Sequence, residues 1–268
     1  SDRFQYIFPS YNFSKTIEFD NSDSYFGFSS TGKNSLKDTN NLSTNITNNL
    51  NYYSANSYLD IGIKNNFGVY IKNLNSIGKN HAIYKNSPQA ELTSAYNFNT
   101  SIPFIKKNSQ TINTLEPKLS LMYSPHVMKN HNSDASMITM SNIYSVNRLG
   151  MADSFEEGAS LTIGIDYRKE KIASNDKQKK INNDDEDELK LIEDFFEFKL
   201  ATVIRNKEEK NVSSSSTINR TTSNIIGQMN YALSDHVLLN YDFSIDNDLS
   251  SFEYTSVDTT LAYGNFST

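Results

Sequence analysis

Apolar side chains recur at every second position through much of this sequence. Tyr11, Phe13, Ile17 and Phe19 do so within residues 6–19, with Pro9 near the start, where a strand tolerates a missing N–H. Residues 25–30 and 42–53 read as further strands, with an Asn-rich polar loop at 31–41 between them. Leu59, Ile61 and Ile63 alternate, Asn65-Asn66 reads as a turn, and Phe67, Val69 and Ile71 alternate again, which predicts a hairpin. Residues 90–96 and 102–105 flank an Asn-Thr-Ser turn, while 77–88 carries no decisive pattern.

The clearest alternation lies in residues 111–125, where Leu115, Pro117, Leu119, Leu121 and Tyr123 take successive odd positions and predict a strand with one apolar face. After Pro125 some thirty residues pass before Leu161, Ile163, Ile165 and Tyr167 resume the pattern. Connections of that length without regular structure are usually functional or disordered. Residues 196–204, 225–233, 237–245 and 252–263 complete a count of about ten to twelve strands.

Composition makes this an unusual all-β chain. Of its 268 residues 16 are Tyr and 16 Phe, none is Trp or Cys, and mean hydropathy is -0.58. That is lean for a soluble protein of this size with a conventional core. A transmembrane barrel can be this polar, because one side of each strand faces a wet lumen and the loops face water. No run of 18 apolar residues exists, which excludes a helical span. A net charge of -6 argues against nucleic acid as a partner. The lack of Cys fits an outer-membrane or periplasmic setting.

The spaced pieces Leu115-Glu116-Pro117, Tyr123, Pro125, Asn147-Arg148, Asp153, Glu156, Gly158, Gly164 and Tyr167 together resemble the lipopolysaccharide-assembly barrel of the Gram-negative outer membrane, the LptD or organic-solvent-tolerance family. In that family a Leu-Glu-Pro strand is followed by a large loop, an Asn-Arg segment with Asp and Glu-Asp-Gly, and a Gly-x-x-Tyr strand. The chain departs from it twice: the Gly after the Asn-Arg pair is displaced to Gly150, and the Arg after the Asp is Ser154. Later strands follow in the family's order.

The resemblance implies an antiparallel transmembrane β-barrel of the outer-membrane type. Residues 1–268 would form a single partial barrel domain, an internal portion of a barrel with about twice as many strands. Without an export signal at its start, the chain reads as a fragment or a trimmed form. The implied function is transport without bond chemistry, with no enzyme activity and no cofactor or metal: lipopolysaccharide is inserted into the outer leaflet of the cell outer membrane. The implied partners are lipopolysaccharide, a plug lipoprotein in the lumen, periplasmic bridge proteins acting through a domain outside this chain, and outer-membrane lipid. Disulfides to an amino-terminal domain, common in the family, find no cysteine here. A general diffusion porin is the alternative, and a soluble β-rich adhesin a third reading.

Strand parity places residues 124–158 outside the cell and a charged insertion at 169–193 on the periplasmic side. In that insertion Lys177-Gln178-Lys179-Lys180 precedes the acidic run 184–188, a pattern of solvated segments. Within the long loop Asn147, Arg148 and Asp153 are expected to pin the loop over the barrel mouth through hydrogen bonds and an ion pair. His126, His131 and Asp134 could approach a cation, and Glu156-Glu157 with Asp166 could suggest acid-base chemistry. Solvated loop, turn and lumen-facing readings explain both sets better.

Overall fold

A computed structural model describes residues 5–20, 22–37, 40–134, 136–172, 192–234, 236–263 and 266–267. Its strands are β1 (Gln5–Phe19), β2 (Ser22–Lys37), β3 (Asn41–Tyr53), β4 (Ser57–Tyr58), β5 (Lys64–Lys79), β6 (Gln89–Ser101), β7 (Phe104–Lys107), β8 (Thr111–Ser124), β9 (Gly158–Ile172), β10 (Ile192–Arg205), β11 (Ile225–Ser234), β12 (Val237–Ile245), β13 (Phe252–Tyr263) and β14 (Phe266–Ser267). All belong to one antiparallel sheet in which sequence neighbours pair. The continuous path has twelve strands, with β4 paired to β5 and β7 paired to β8. Among the described residues, β1 at one edge and β14 at the other are not paired to each other.

The sheet has two chemically distinct faces, set by the period of two. In β5 the even positions from Gly68 to Gly78 are buried, while Phe67 and Ile77 are exposed on the opposite side. Register carries that outward face across the sheet through Leu115↔Tyr167, Pro117↔Ile165, Leu119↔Ile163 and Leu121↔Leu161. Phe198 and Leu200 continue it opposite Tyr167 and Ile165. An apolar outer band with a polar inner face, set on strands long enough to cross a bilayer, is the pattern of an outer-membrane barrel wall. On this outer face the Phe243 ring fills the space a Cβ at Gly227 would need, which explains how an outward aromatic becomes buried.

Pro117 lies inside β8 at a point where its missing N–H costs no ladder bond. Pairing with β6 stops at Ser101↔Lys118, and pairing with β7 starts at Phe104↔Leu115. The proline occupies the handover between the two partners.

Several strands run further than the alternation predicts. β2 continues through Thr31 to Lys37, β5 absorbs the expected Asn65-Asn66 turn, and β6 passes through Asn99-Thr100-Ser101 to Ser101. The physical reason is the wet inner face. There Asn99 donates to Asn66 Oδ1 at 2.8 Å and accepts from Ser120 Oγ at 2.6 Å. Amides that bond to one another across strands stabilise the sheet instead of breaking it. Most of the charged insertion expected at 169–193 lies outside the described residues. Its beginning, Lys169 to Ile172, is the end of β9.

Candidate functional site

Two connections, residues 125–157 and 206–224, fold onto the inner face of the sheet. Their apolar side chains make a dry cluster: Met128, Ile138, Ile143, Leu149 and Met151 from the first and Val212 and Ile218 from the second pack against Ala201, Val203 and Ile226 of the wall. A neighbouring cluster sets Val146 and Phe155 on Tyr70, Ala95 and Met122. Inward apolar residues on a wall otherwise lined with Ser, Thr and Asn are thus explained by what the loops bring to them.

Glu156 is the polar centre of this arrangement, with a fully buried side chain. Its carboxylate accepts from Arg148 Nε and Nη2, both at 2.7 Å, and from Arg205 Nη1 at 2.8 Å. Arg148 spends its remaining donors on Thr162 Oγ1 at 3.1 Å, Ser160 Oγ at 2.9 Å and the Ile143 carbonyl at 3.3 Å. Arg205 also donates to the Glu157 carbonyl at 2.7 Å, and Lys207 pairs with the Glu157 carboxylate. Two guanidinium groups around one carboxylate give the fork-to-fork geometry that tolerates burial, because nearly every donor has an acceptor.

Asp153 bonds elsewhere. Its Oδ1 lies 2.8 Å from His131 Nε2, and His131 Nδ1 lies 2.8 Å from Asp134 Oδ2. The hydrogen bond to Asp153 raises the His131 pKa above its ordinary value against the opposing effect of burial, and the Asp134 carboxylate adds to it. Burial pushes Asp153 upward, yet the hydrogen bond and charge of His131 outweigh it and hold Asp153 below its ordinary value. His131 also ties the two connections together, its backbone N–H donating to the Asn211 carbonyl at 2.7 Å.

From the wall, Lys72 reaches into the long connection and donates to the carbonyls of Met151 and Ser154 at 2.7 and 3.0 Å, with its ammonium 4.5 Å from the centre of the Phe155 ring. Lys129 pairs with Glu91 of β6 at 2.6 Å. Tyr144 occupies a notch in the wall, its hydroxyl lying 1.9 Å from where a Cβ on Gly164 would be. Beside these contacts a cavity of about 690 Å³ remains, lined by Tyr25, Tyr53, Asn49, Asn51, Asn97 and Asn147 among others.

Of the residues singled out from sequence, Arg148 bonds to Thr162 and Ser160 of β9, whereas Asp153 pairs with His131 inside the same connection, and the two do not meet each other. Asn147 donates to the Met151 carbonyl at 3.0 Å and closes a turn within the connection. Leu115, Pro117, Tyr123 and Tyr167 belong to the outward face. Glu116 points inward beside Lys118, whose ammonium donates to Asp166 Oδ2 at 2.6 Å and lies 3.5 Å from Glu116. Gly158 opens β9 at φ 85°, a backbone conformation suited to glycine. His131 and Asp134 do meet, but among the described residues no group of three or more His, Cys, Asp or Glu side chains could hold a metal ion.

Sequence reading missed Glu156 as the centre of the network and missed Arg205 and Lys72 altogether. The available signal was weak: a charged residue at an inward position of a strand, two residues from others of the same phase.

The model of the family described as LPS transport system D matches residues 51–267 of the chain. Among curated proteins, none matches it.

Proposed function

This chain belongs to the LPS transport system D family, a lipopolysaccharide-transport component of the outer membrane, and we propose that its described sheet is barrel wall whose lumen is closed on the cell exterior by residues 125–157 and 206–224. The observation that carries this reading is the pair of connections folded into the lumen. They lie at the same end of the sheet, between β8 and β9 and between β10 and β11, and long loops of outer-membrane barrels are extracellular. The tight connection between β11 and β12 at the opposite end then faces the periplasm.

In this scheme lipopolysaccharide arrives from periplasmic bridge proteins and leaves into the outer leaflet, and a plug lipoprotein contacts the polar inner face. The chain supplies surfaces and no bond chemistry. Arg148, Glu156, Arg205, His131 and Asp153 act as pins that keep the connections seated.

Depleting the complete protein in its host and assaying newly made lipopolysaccharide at the cell surface tests the transport reading. Surface delivery is expected to stop, with the lipid accumulating at the inner membrane. Continued delivery together with reduced uptake of small solutes would instead make the barrel a porin.

A further inference from the structure

The two halves of the sheet differ in height. Ile17, Phe26, Tyr52, Val69, Tyr96 and Tyr123 form one transverse row from β1 to β8. On β8 that row is one residue from the loop-bearing end at Ser124. On β5 ten residues lie beyond Val69, to Lys79, and on β3 eleven lie beyond Tyr52, to Asn41. Strand tilt explains part of the difference, because at 35–45° a level plane shifts by about one residue per strand crossed. The remaining excess, about six residues, lifts β1, β2, β3 and β5 on the order of 15 Å above the Tyr123 rim.

Near the level of that rim the outward face of the tall strands carries a hydrogen-bonded polar ladder. The Tyr11 hydroxyl meets Ser30 Oγ at 3.1 Å, Ser30 Oγ donates to Asn48 Oδ1 at 2.7 Å, and Asn48 Nδ2 donates to Asn73 Oδ1 at 3.2 Å. Asn75 Nδ2 donates to the same Asn73 oxygen at 2.6 Å. Toward the opposite end this face is mainly apolar, with Phe28, Leu50 and Ile71 in one row that Lys15 continues on the edge strand β1, its long stem free to carry the ammonium toward the boundary. Beyond the ladder it becomes mixed and uncharged as far as Lys79: Asn34 and Thr44, bonded at 2.7 Å, stand beside Ile77. Amides are costly in hydrocarbon and cheap at its boundary.

We propose that the ladder marks the outer edge of the hydrocarbon on this side of the barrel, and that the outward face above it is a contact surface for the saccharide of outer-leaflet glycolipid. Among the described residues no charged side chain lies on this face between the ladder and the Lys79 tip, which selects sugar hydroxyls, matched by neutral amides as both donors and acceptors. A phosphate-binding face would present Arg or Lys. The inference rests on the outside placement of residues 125–157.

Residues 1–268 hold no cysteine, so a cysteine introduced among them reports on its own position once any others of the full protein are replaced. Single substitutions Thr44→Cys, Asn75→Cys and Ile77→Cys above the ladder, Ile71→Cys and Leu121→Cys below it, and Ser133→Cys in the long connection are made in the full protein. Labelling by a membrane-impermeant maleimide is then followed in intact cells with complete and with truncated surface saccharide. The three upper sites should label at least about tenfold faster than the two lower ones, and about threefold faster again when the saccharide is truncated, while Ser133→Cys labels readily in both. If Ser133→Cys is unreactive, the outside placement fails and the inference falls with it. If Ser133→Cys labels but the upper sites are as slow as Ile71→Cys in both backgrounds, that face lies in hydrocarbon and the proposal is overturned. Fast labelling that ignores saccharide length overturns the sugar contact. Three upper positions guard against one variant failing to assemble.

Discussion

At the scale of single residues, the buried Glu156 decides whether the long connection stays on the wall. Removing one partner of a buried ion pair leaves an uncompensated charge and typically costs 3–5 kcal/mol, far more than the net worth of the pair. Arg148→Ala is therefore expected to free residues 125–157 and raise their protease cleavage at least tenfold, whereas Lys207→Ala, at an exposed pair, should change cleavage less than twofold. Equal cleavage in the two variants would remove Arg148 from the role of pin. The His131–Asp153 contact carries a pH signature of its own. A histidine whose pKa rises on folding contributes stability that is complete below its ordinary value of 6.5 and lost as pH climbs past the raised value. Asp153, held below 3.8, contributes above that value and loses its contribution as pH falls past the lowered one. The contact is thus strongest in mildly acidic solution and weakens toward alkaline pH. Hydrogen exchange of residues 129–134 should accelerate between pH 6 and pH 9 beyond the intrinsic base dependence, and His131→Gln should abolish that excess.

At the scale of elements, what could be read from sequence followed the outward face. The alternation of Leu115, Leu119 and Leu121 is set by lipid, a uniform solvent, so period alone locates β8 and β9. The inward face is set by what happens to be packed against it, and that is different for each strand. Val203 and Ile226 break the polar rule because the loops cover them, and Asn66 and Asn99 break the turn rule because they bond across strands. Glycine shows the same division. Gly164 was visible as a position of interest, but its reason is the Tyr144 hydroxyl twenty residues earlier, and no local pattern announces a contact of that kind. The Arg148–Glu156–Arg205 network was half legible for a similar reason. Arg148 and Glu156 share one connection, whereas Arg205 arrives from the end of β10 and is brought there only by the register Arg205↔Ser160.

At the scale of the whole molecule, the sheet and its two inward connections form one mechanical unit. The wall alone has a polar inner face that water can wet, and a barrel with such a lumen conducts ions unless something fills it. On the reading proposed above, the filling is supplied from within the chain, through a dry cluster built from both connections: Met128, Ile138 and Leu149 from one pack with Val212 and Ile218 from the other. Losing the second should therefore expose apolar surface on the first and open the exterior side of the lumen. Replacing residues 207–222 by a short Gly-Ser linker in the complete protein is expected to raise bilayer conductance at least severalfold and to sensitise cells to large antibiotics that the outer membrane normally excludes. The strands of the wall, paired as before, should keep the protein in the membrane at unchanged abundance. Conductance that stays at the level of the unaltered protein, at equal abundance, would mean that residues 125–157 or a separate plug close the lumen without help. The dry cluster would then stabilise the fold without gating it.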